Sequence, residues 1–222
     1  MKKWHESNPE KLDLLIELLK REYPALLVYV KDSVVFIRGP IDLKKDNKLL
    51  DSFTLEIVLP KNYPIGVPIV RDIAGRFPRI ADRHVYANGV LCLCVPDEYW
   101  RFYSPESTIV DFIKTLVEPF LVAQIYYEKT GKMPFGERAH GWEGIVQFYS
   151  EILDTTDERM IFCFLKYLSA PKLKGHWRCY CGSGLRLRNC HYEKAYEMHQ
   201  KVPFRTARTS LSYAPTKLWT MV

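Results

Sequence analysis

The chain has 222 residues, of which 47% are hydrophobic and 26% charged, with six cysteines and a formal net charge of +6. This composition supports a buried core and excludes a disordered or fibrous chain, and the length fits one ordinary domain with a small appendage. The positive charge reads as spread along the sequence rather than concentrated, so nucleic acid is not an expected partner.

The start, MKKWHESNPEKLDLL, carries lysines with no uninterrupted apolar stretch behind them, so no secretory leader is expected. No apolar run is long enough to cross a bilayer. A cytoplasmic, reducing location follows as the expectation. The cysteines are then read as nucleophile, metal ligands or core filler before disulfides.

In chain order, Asn8-Pro9-Glu10 has the pattern of an N-cap, a first-turn proline and a first-turn acid. Leu12, Leu14, Leu15, Leu18 and Leu19 follow at helical spacing, and Pro24 ends the helix. Strand-like runs come next: 25–30, then 34–38 with a continuation past Pro40 to Leu43, separated by the turn residues Lys31-Asp32-Ser33. Lys44 to Lys48 reads as an exposed hairpin tip. Phe53, Leu55 and Ile57 share one face of a third strand, and 67–73 reads as a fourth. One helix followed by four consecutive strands predicts an antiparallel meander and an α+β fold.

The segment 78–96 has no clean period and reads as a long ordered loop, which in a compact domain is usually functional. A helix over 108–127 opens after Ser104-Pro105-Glu106-Ser107. A Gly/Lys/Pro-containing loop over 129–138 leads to a helix around 142–153. Asp154-Thr155-Thr156-Asp157 reads as the domain boundary, giving 1–156 and 157–222. An amphipathic helix over 158–168 precedes a cysteine-rich piece.

Within the long loop lies His84-Val85-Tyr86-Ala87-Asn88-Gly89-Val90-Leu91-Cys92-Leu93. A turn at Asn88-Gly89 followed by a cysteine between two leucines suits a thiol held exposed on a fixed backbone. A thiolate attacks an activated carboxyl and keeps its transfer potential as a thioester. Cys94 reads as a spectator, Cys163 as core filler on a helix, and His140 as a packing residue.

This segment resembles the active-site loop of ubiquitin-conjugating enzymes, with Tyr86, Gly89, Leu91, Cys92 and Leu93 at matching spacing. Tyr63-Pro64 and Pro68 resemble the family's Tyr-Pro-x-x-x-Pro segment. Trp100 and Ser104-Pro105 resemble its Trp and Ser-Pro before the next helix. The resemblance spans about residues 12–153. The family's His-Pro-Asn tripeptide is replaced by Asp82-Arg83-His84, which is similar to a prokaryotic branch with histidine at that place.

The resemblance implies the UBC fold, with an N-terminal helix, a four-stranded meander, an active-site loop and C-terminal helices. It implies a cysteine acyltransferase with Cys92 as nucleophile, assisted by His84 and Tyr86. A neutral imidazole N–H can stabilise an oxyanion, commonly worth about 3 kcal/mol, or the ring can accept a proton. The branch includes stand-alone conjugating proteins of bacterial anti-phage cyclic-oligonucleotide signalling (CBASS). There the implied carrier is the C-terminus of a cGAS-like nucleotidyltransferase rather than ubiquitin, with another ubiquitin-like carrier as the alternative, and an acceptor protein receives the acyl group. The chain has no nucleotide-binding glycine loop, so a partner must activate that carboxyl. The competing expectation is a non-catalytic UBC-like scaffold or zinc-dependent adaptor that binds a protein or nucleic-acid partner.

Near the end, Cys179, Cys181, Cys190 and His191 form Cys-x-Cys-x8-Cys-His. Thiolates and imidazole are preferred zinc ligands, and structural sites use four. The pattern resembles the small zinc motif at the C-terminus of the SecA preprotein translocase. It predicts one Zn on a knuckle made tight by Gly182 and Gly184, with a helix over 192–200 behind it. Arg186, Arg188, Arg205 and Arg208 make this end basic and read as a solvated face, with contact to nucleic acid or an acidic partner as the alternative. The apolar end, 218–222, reads as docking on the domain or fraying.

Overall fold

The computed structural model describes residues 3–104, 106–134 and 138–220. It forms two compact units, Met1–Cys94 with Arg101–Gly136, and Val95–Trp100 with Glu137–Val222. The proline of the Ser104-Pro105 pair, part of the 129–138 loop and the last two residues of the apolar end lie outside the described residues.

The first unit opens with a short helix, α1 (Trp4–Ser7), and α2 (Pro9–Glu22). Asn8 caps α2 by accepting from the Lys11 N–H at 3.3 Å, and Pro9 needs no partner at the first helical position. Leu15 and Leu19 face inward while Leu14 stays exposed. Strands β1 (Leu27–Lys31), β2 (Val34–Lys45), β3 (Lys48–Leu59) and β4 (Ile69–Asp72) form one antiparallel sheet in chain order.

The period of two sorts the faces. Val35, Ile37, Ile41 and Leu43 of β2 are buried, as are Phe53, Leu55, Ile57 and Leu59 of β3. β2 and β3 extend further than the apolar alternation, because Asp46 and Asn47 both take positive φ and close a tight turn directly on Lys45 and Lys48. Pro40 is tolerated inside β2 because the pairing with β1 ends at Arg38. Gly39 is required beside it: a Cβ there would lie 2.4 Å from the Ala25 carbonyl oxygen.

The helix after the loop runs as α3 (Ile109–Phe112), a π-helical turn Ile113–Val117, and α4 (Glu118–Thr130). Its cap is Thr108: the Thr108 hydroxyl accepts from the Asp111 N–H at 3.1 Å, and the Asp111 carboxylate accepts from the Thr108 N–H at 2.8 Å. Phe112, Ile113, Val117 and Leu121 are fully buried in this unit.

The second unit holds α5 (Gly141–Leu153), α6 (Glu158–Leu168), α7 (Tyr192–Lys201), α8 (Phe204–Ser212) and α9 (Thr216–Trp219). The polar run Asp154–Asp157 does not divide the units. It is a tight connection in which Asp154 ends α5 in a left-handed conformation and Asp157 caps α6, accepting from the Arg159 N–H at 2.9 Å. Trp142, Ile145, Phe148 and Tyr149 of α5 share a core with Ile161, Phe162, Phe164 and Leu165 of α6. Cys179, Tyr180, Leu187, Ala195, Met198 and Leu211 extend the same core, so the cysteine-rich piece is built into a helical unit rather than appended to the sheet.

Candidate functional site

The loop carrying Cys92 is an ordered clasp. Residues 84–86 and 90–92 pair antiparallel: the Cys92 N–H donates to the His84 carbonyl at 2.8 Å and the Tyr86 N–H to the Val90 carbonyl at 2.9 Å. Gly89 closes the turn at φ +78, with its N–H on the Tyr86 carbonyl, and the Asn88 side chain accepts from the Val90 N–H at 3.1 Å. The clasp is hung on β4 through the Leu91 N–H to the Val70 carbonyl at 2.8 Å and the Asp72 N–H to the Gly89 carbonyl at 3.2 Å.

Two anchors were not singled out from sequence. Asp72 accepts from the N–H groups of Ala74, Gly75 and Phe77, which fixes the exit from β4. An Asp followed three residues on by Gly is the signal that would have found it. Arg83 is buried and its Nε donates to Gln124 at 2.6 Å, while the Gln124 amide donates back to the Arg83 carbonyl at 2.9 Å. Arg83 also lies over the Tyr127 ring and reaches Glu128 at 3.3 Å. Nothing local in the sequence marks this pair, which is separated by 41 residues.

The clasp sets the Tyr86 side chain against Cys92 and ties His84 to Cys92 through the backbone. The Tyr86 hydroxyl donates toward the Cys92 sulfur at 3.5 Å, and the thiol faces the Cys94 carbonyl at 3.9 Å. Tyr86 is exposed and Cys92 is half-buried. Burial pushes the Cys92 thiol up, and the Tyr86 hydrogen bond only partly offsets this. The resting group is therefore a neutral thiol near pH 7, unlike the thiolate of a cysteine paired with a cation. His84 takes the left-handed conformation, φ 51 and ψ 41, at the end of the 3₁₀ turn Ala81–Arg83. Histidine and asparagine are among the side chains that tolerate it.

A second constellation lies in the helical unit. The ligand atoms of Cys179, Cys181, Cys190 and His191 all fall within 4.8 Å of one another. The Cys179 sulfur is 3.3 Å from His191 Nδ1, the Cys190 sulfur 3.2 Å from the same nitrogen, and the Cys181 and Cys190 sulfurs are 3.6 Å apart. Bond lengths of about 2.3 Å to sulfur and about 2.0 Å to nitrogen give a tetrahedron with edges of about 3.6–3.8 Å. The four donors thus have the chemistry and spacing of a zinc cage. Gly182 and Gly184, both at positive φ, turn the backbone between the ligand pairs. The three buried or half-buried aromatics Phe164, Tyr167 and Tyr180 pack behind the cage, Tyr180 with its ring 5.4 Å from that of His191.

Comparison with known proteins adds little. No protein-family model and no curated protein matches the chain. Among solved structures, a chain from "A complex of the Vps23 UEV with ubiquitin" is similar at 13% identity and a TM-score of 0.32, covering 50% of this chain and 82% of that one. A likeness at that level establishes neither fold nor function. What the structure itself establishes is a mixed α+β chain with a four-stranded antiparallel sheet, several helices, and a four-residue Cys/His cluster. Among the described residues, no helix is long and apolar enough to cross a membrane.

Proposed function

We propose that this chain is a ubiquitin-conjugating-type cysteine acyltransferase of UBC architecture, with Cys92 as the nucleophile. The observation that carries the reading is the clasp: a half-buried cysteine on a fixed backbone, its own N–H on the His84 carbonyl and its sulfur facing the Tyr86 hydroxyl. The order helix, four-strand meander, cysteine loop, helix supports the architecture. In the reaction, the Cys92 sulfur loses its proton and attacks the activated carboxyl of a protein C-terminus. The donor's leaving group departs, and an acceptor amine or hydroxyl later displaces the sulfur. A neutral resting thiol suits a carrier that meets its acyl group only when a partner presents it.

In the same reading the donor is the C-terminus of a cGAS-like nucleotidyltransferase in anti-phage signalling, which rests on resemblance of the loop residues alone. The Cys/His cluster holds one structural zinc, since all four ligand places are filled by protein. The rival reading, an idle cysteine on a binding scaffold, draws support from the burial that raises the Cys92 thiol. Co-expression with the candidate donor and its activating partner, followed by non-reducing electrophoresis, separates the two. Cys92→Ala should lose a reductant-sensitive adduct that Cys94→Ala retains. Retention in Cys92→Ala, or no adduct in the wild type, returns the chain to the scaffold reading.

A further inference from the structure

The chain's positive charge is concentrated, contrary to the reading from sequence. Residues 158–222 hold twelve Lys or Arg and three Glu, a net of +9 against +6 for the whole chain. Between Glu158 and Glu193 there are seven Lys or Arg and no acidic residue. The structure gathers several of these on one exposed surface beside the Cys/His cluster. Arg178 and Arg186 are direct antiparallel partners in a short hairpin, flanked by the Cys179 N–H on the Leu185 carbonyl and the Leu187 N–H on the Trp177 carbonyl, each at 2.7 Å. The Arg188 N–H donates to the Gly175 carbonyl at 2.9 Å, which brings Arg188 beside Lys174 and His176.

Lys172, Lys174, His176, Arg178, Arg186 and Arg188 are all exposed, while the intervening Trp177, Cys179 and Leu187 turn inward. Among the described residues none of these cations is in an ion pair. Like charges directly opposite on paired strands are destabilising, and here the Arg178 guanidinium donates to the Gly184 carbonyl at 2.7 Å. Tyr192 packs against Gly175 and stacks on Tyr196 at 5.9 Å, and Tyr196 is half exposed, so an aromatic platform adjoins the cations.

We propose that this face of the helical unit binds the phosphate backbone of a single-stranded nucleic acid. Arginine's planar fork takes phosphate bidentately, and an exposed stacked tyrosine beside a basic track is what an unpaired base can use. An acidic protein surface would engage the cations but leaves the tyrosine platform without a role.

The test uses the full chain and a fluorescein-labelled oligothymidylate, read by anisotropy across a salt series. The wild type should bind with an affinity that falls steeply with salt. Arg186→Gln with Arg188→Gln should reduce the log–log salt slope by about 1.4, at about 0.7 for each phosphate no longer neutralised. Tyr196→Ala should weaken binding about tenfold with the slope unchanged, as removal of a stacking partner does. Retained melting temperature and metal content serve as the folding control. Lys172→Gln with Lys174→Gln, outside the paired residues, should give an equal reduction of slope without touching the hairpin. The proposal is overturned by absence of binding at low salt, or by an unchanged slope in both double variants. It is equally overturned if polyglutamate of matched charge, or anionic vesicles, displace the probe as well as unlabelled oligothymidylate does.

Discussion

Cys92 is held between a tyrosine hydroxyl and a carbonyl, with burial raising its thiol above the ordinary value of about 8.5. Iodoacetamide should therefore modify it more slowly than a free cysteine near neutral pH, with the rate climbing as pH rises beyond the ordinary thiol range. Tyr86→Phe removes the one hydrogen bond that favours the thiolate and should shift that climb to still higher pH. Peptide-resolved mass spectrometry reads both; a rate already on its plateau near neutrality contradicts the assignment. His84 makes a separate test. Asparagine shares its tolerance of the left-handed conformation and supplies an N–H donor, so His84→Asn should keep transfer near wild type while His84→Ala is strongly impaired. If both are impaired and an acid limb near the unperturbed histidine value of about 6.5 disappears from the pH–rate profile, the ring acts as a base instead. Transfer at the wild-type rate in His84→Ala makes it a bystander.

Elements with strong periodicity were legible in the sequence, and those fixed by distant partners were not. The α2 helix, the β3 alternation and α6 each follow from local spacing. Phe53, Leu55 and Ile57 are buried as expected, whereas of the α2 leucines only Leu15 and Leu19 are buried, Leu14 is exposed, and Cys163 of α6 is half-buried rather than core. The start of α3 falls where the sequence puts it, fixed by the reciprocal Thr108–Asp111 box. Helices α8 and α9 were missed because their apolar positions are sparse and each begins after a proline, at Pro203 and Pro215. Besides the buried Ala207 and Leu211, a buried polar group holds α8. Asp97 accepts from the Tyr149 hydroxyl at 2.7 Å and from the Ser210 hydroxyl, tying Val95–Trp100 to α5 and α8. Burial raises the Asp97 carboxyl despite these bonds. Its stability contribution is then fullest at pH below the ordinary carboxylate range and is lost as pH rises through its raised value, the reverse of a salt-bridged carboxylate. Asp97→Asn should flatten that dependence and cost little near neutrality. Asp97→Ala orphans two buried hydroxyls and should cost about 2–4 kcal/mol. Chemical denaturation as a function of pH distinguishes them, and equal effects of Asn and Ala would contradict the account.

At the scale of the whole molecule, two buried cores lie in one chain, one around the sheet and one around α5, α6 and the Cys/His cluster. Cys179 and Tyr180 are part of the second core, so metal removal should destabilise that unit rather than only the knuckle. Elemental analysis should give about one zinc per chain on the four-ligand rule. Chelation should lower one of two thermal transitions and leave the transition of the sheet unit in place; a metal-free protein with unchanged melting contradicts the zinc reading. The loop chemistry was legible as a pattern around Gly89 and Cys92, whereas its support by Arg83 and Gln124, and the gathering of cations around Arg178 and Arg186, required the three-dimensional path of the chain. The central claim is that Cys92 carries an acyl group. Its most direct test is mass-spectrometric mapping of the adduct captured from cells expressing the chain with its donor system, without reductant. The account predicts a donor C-terminal remnant on the peptide containing Cys92, released on treatment with thiol. A remnant on Cys94 or Cys163, or one that survives Cys92→Ala, contradicts it.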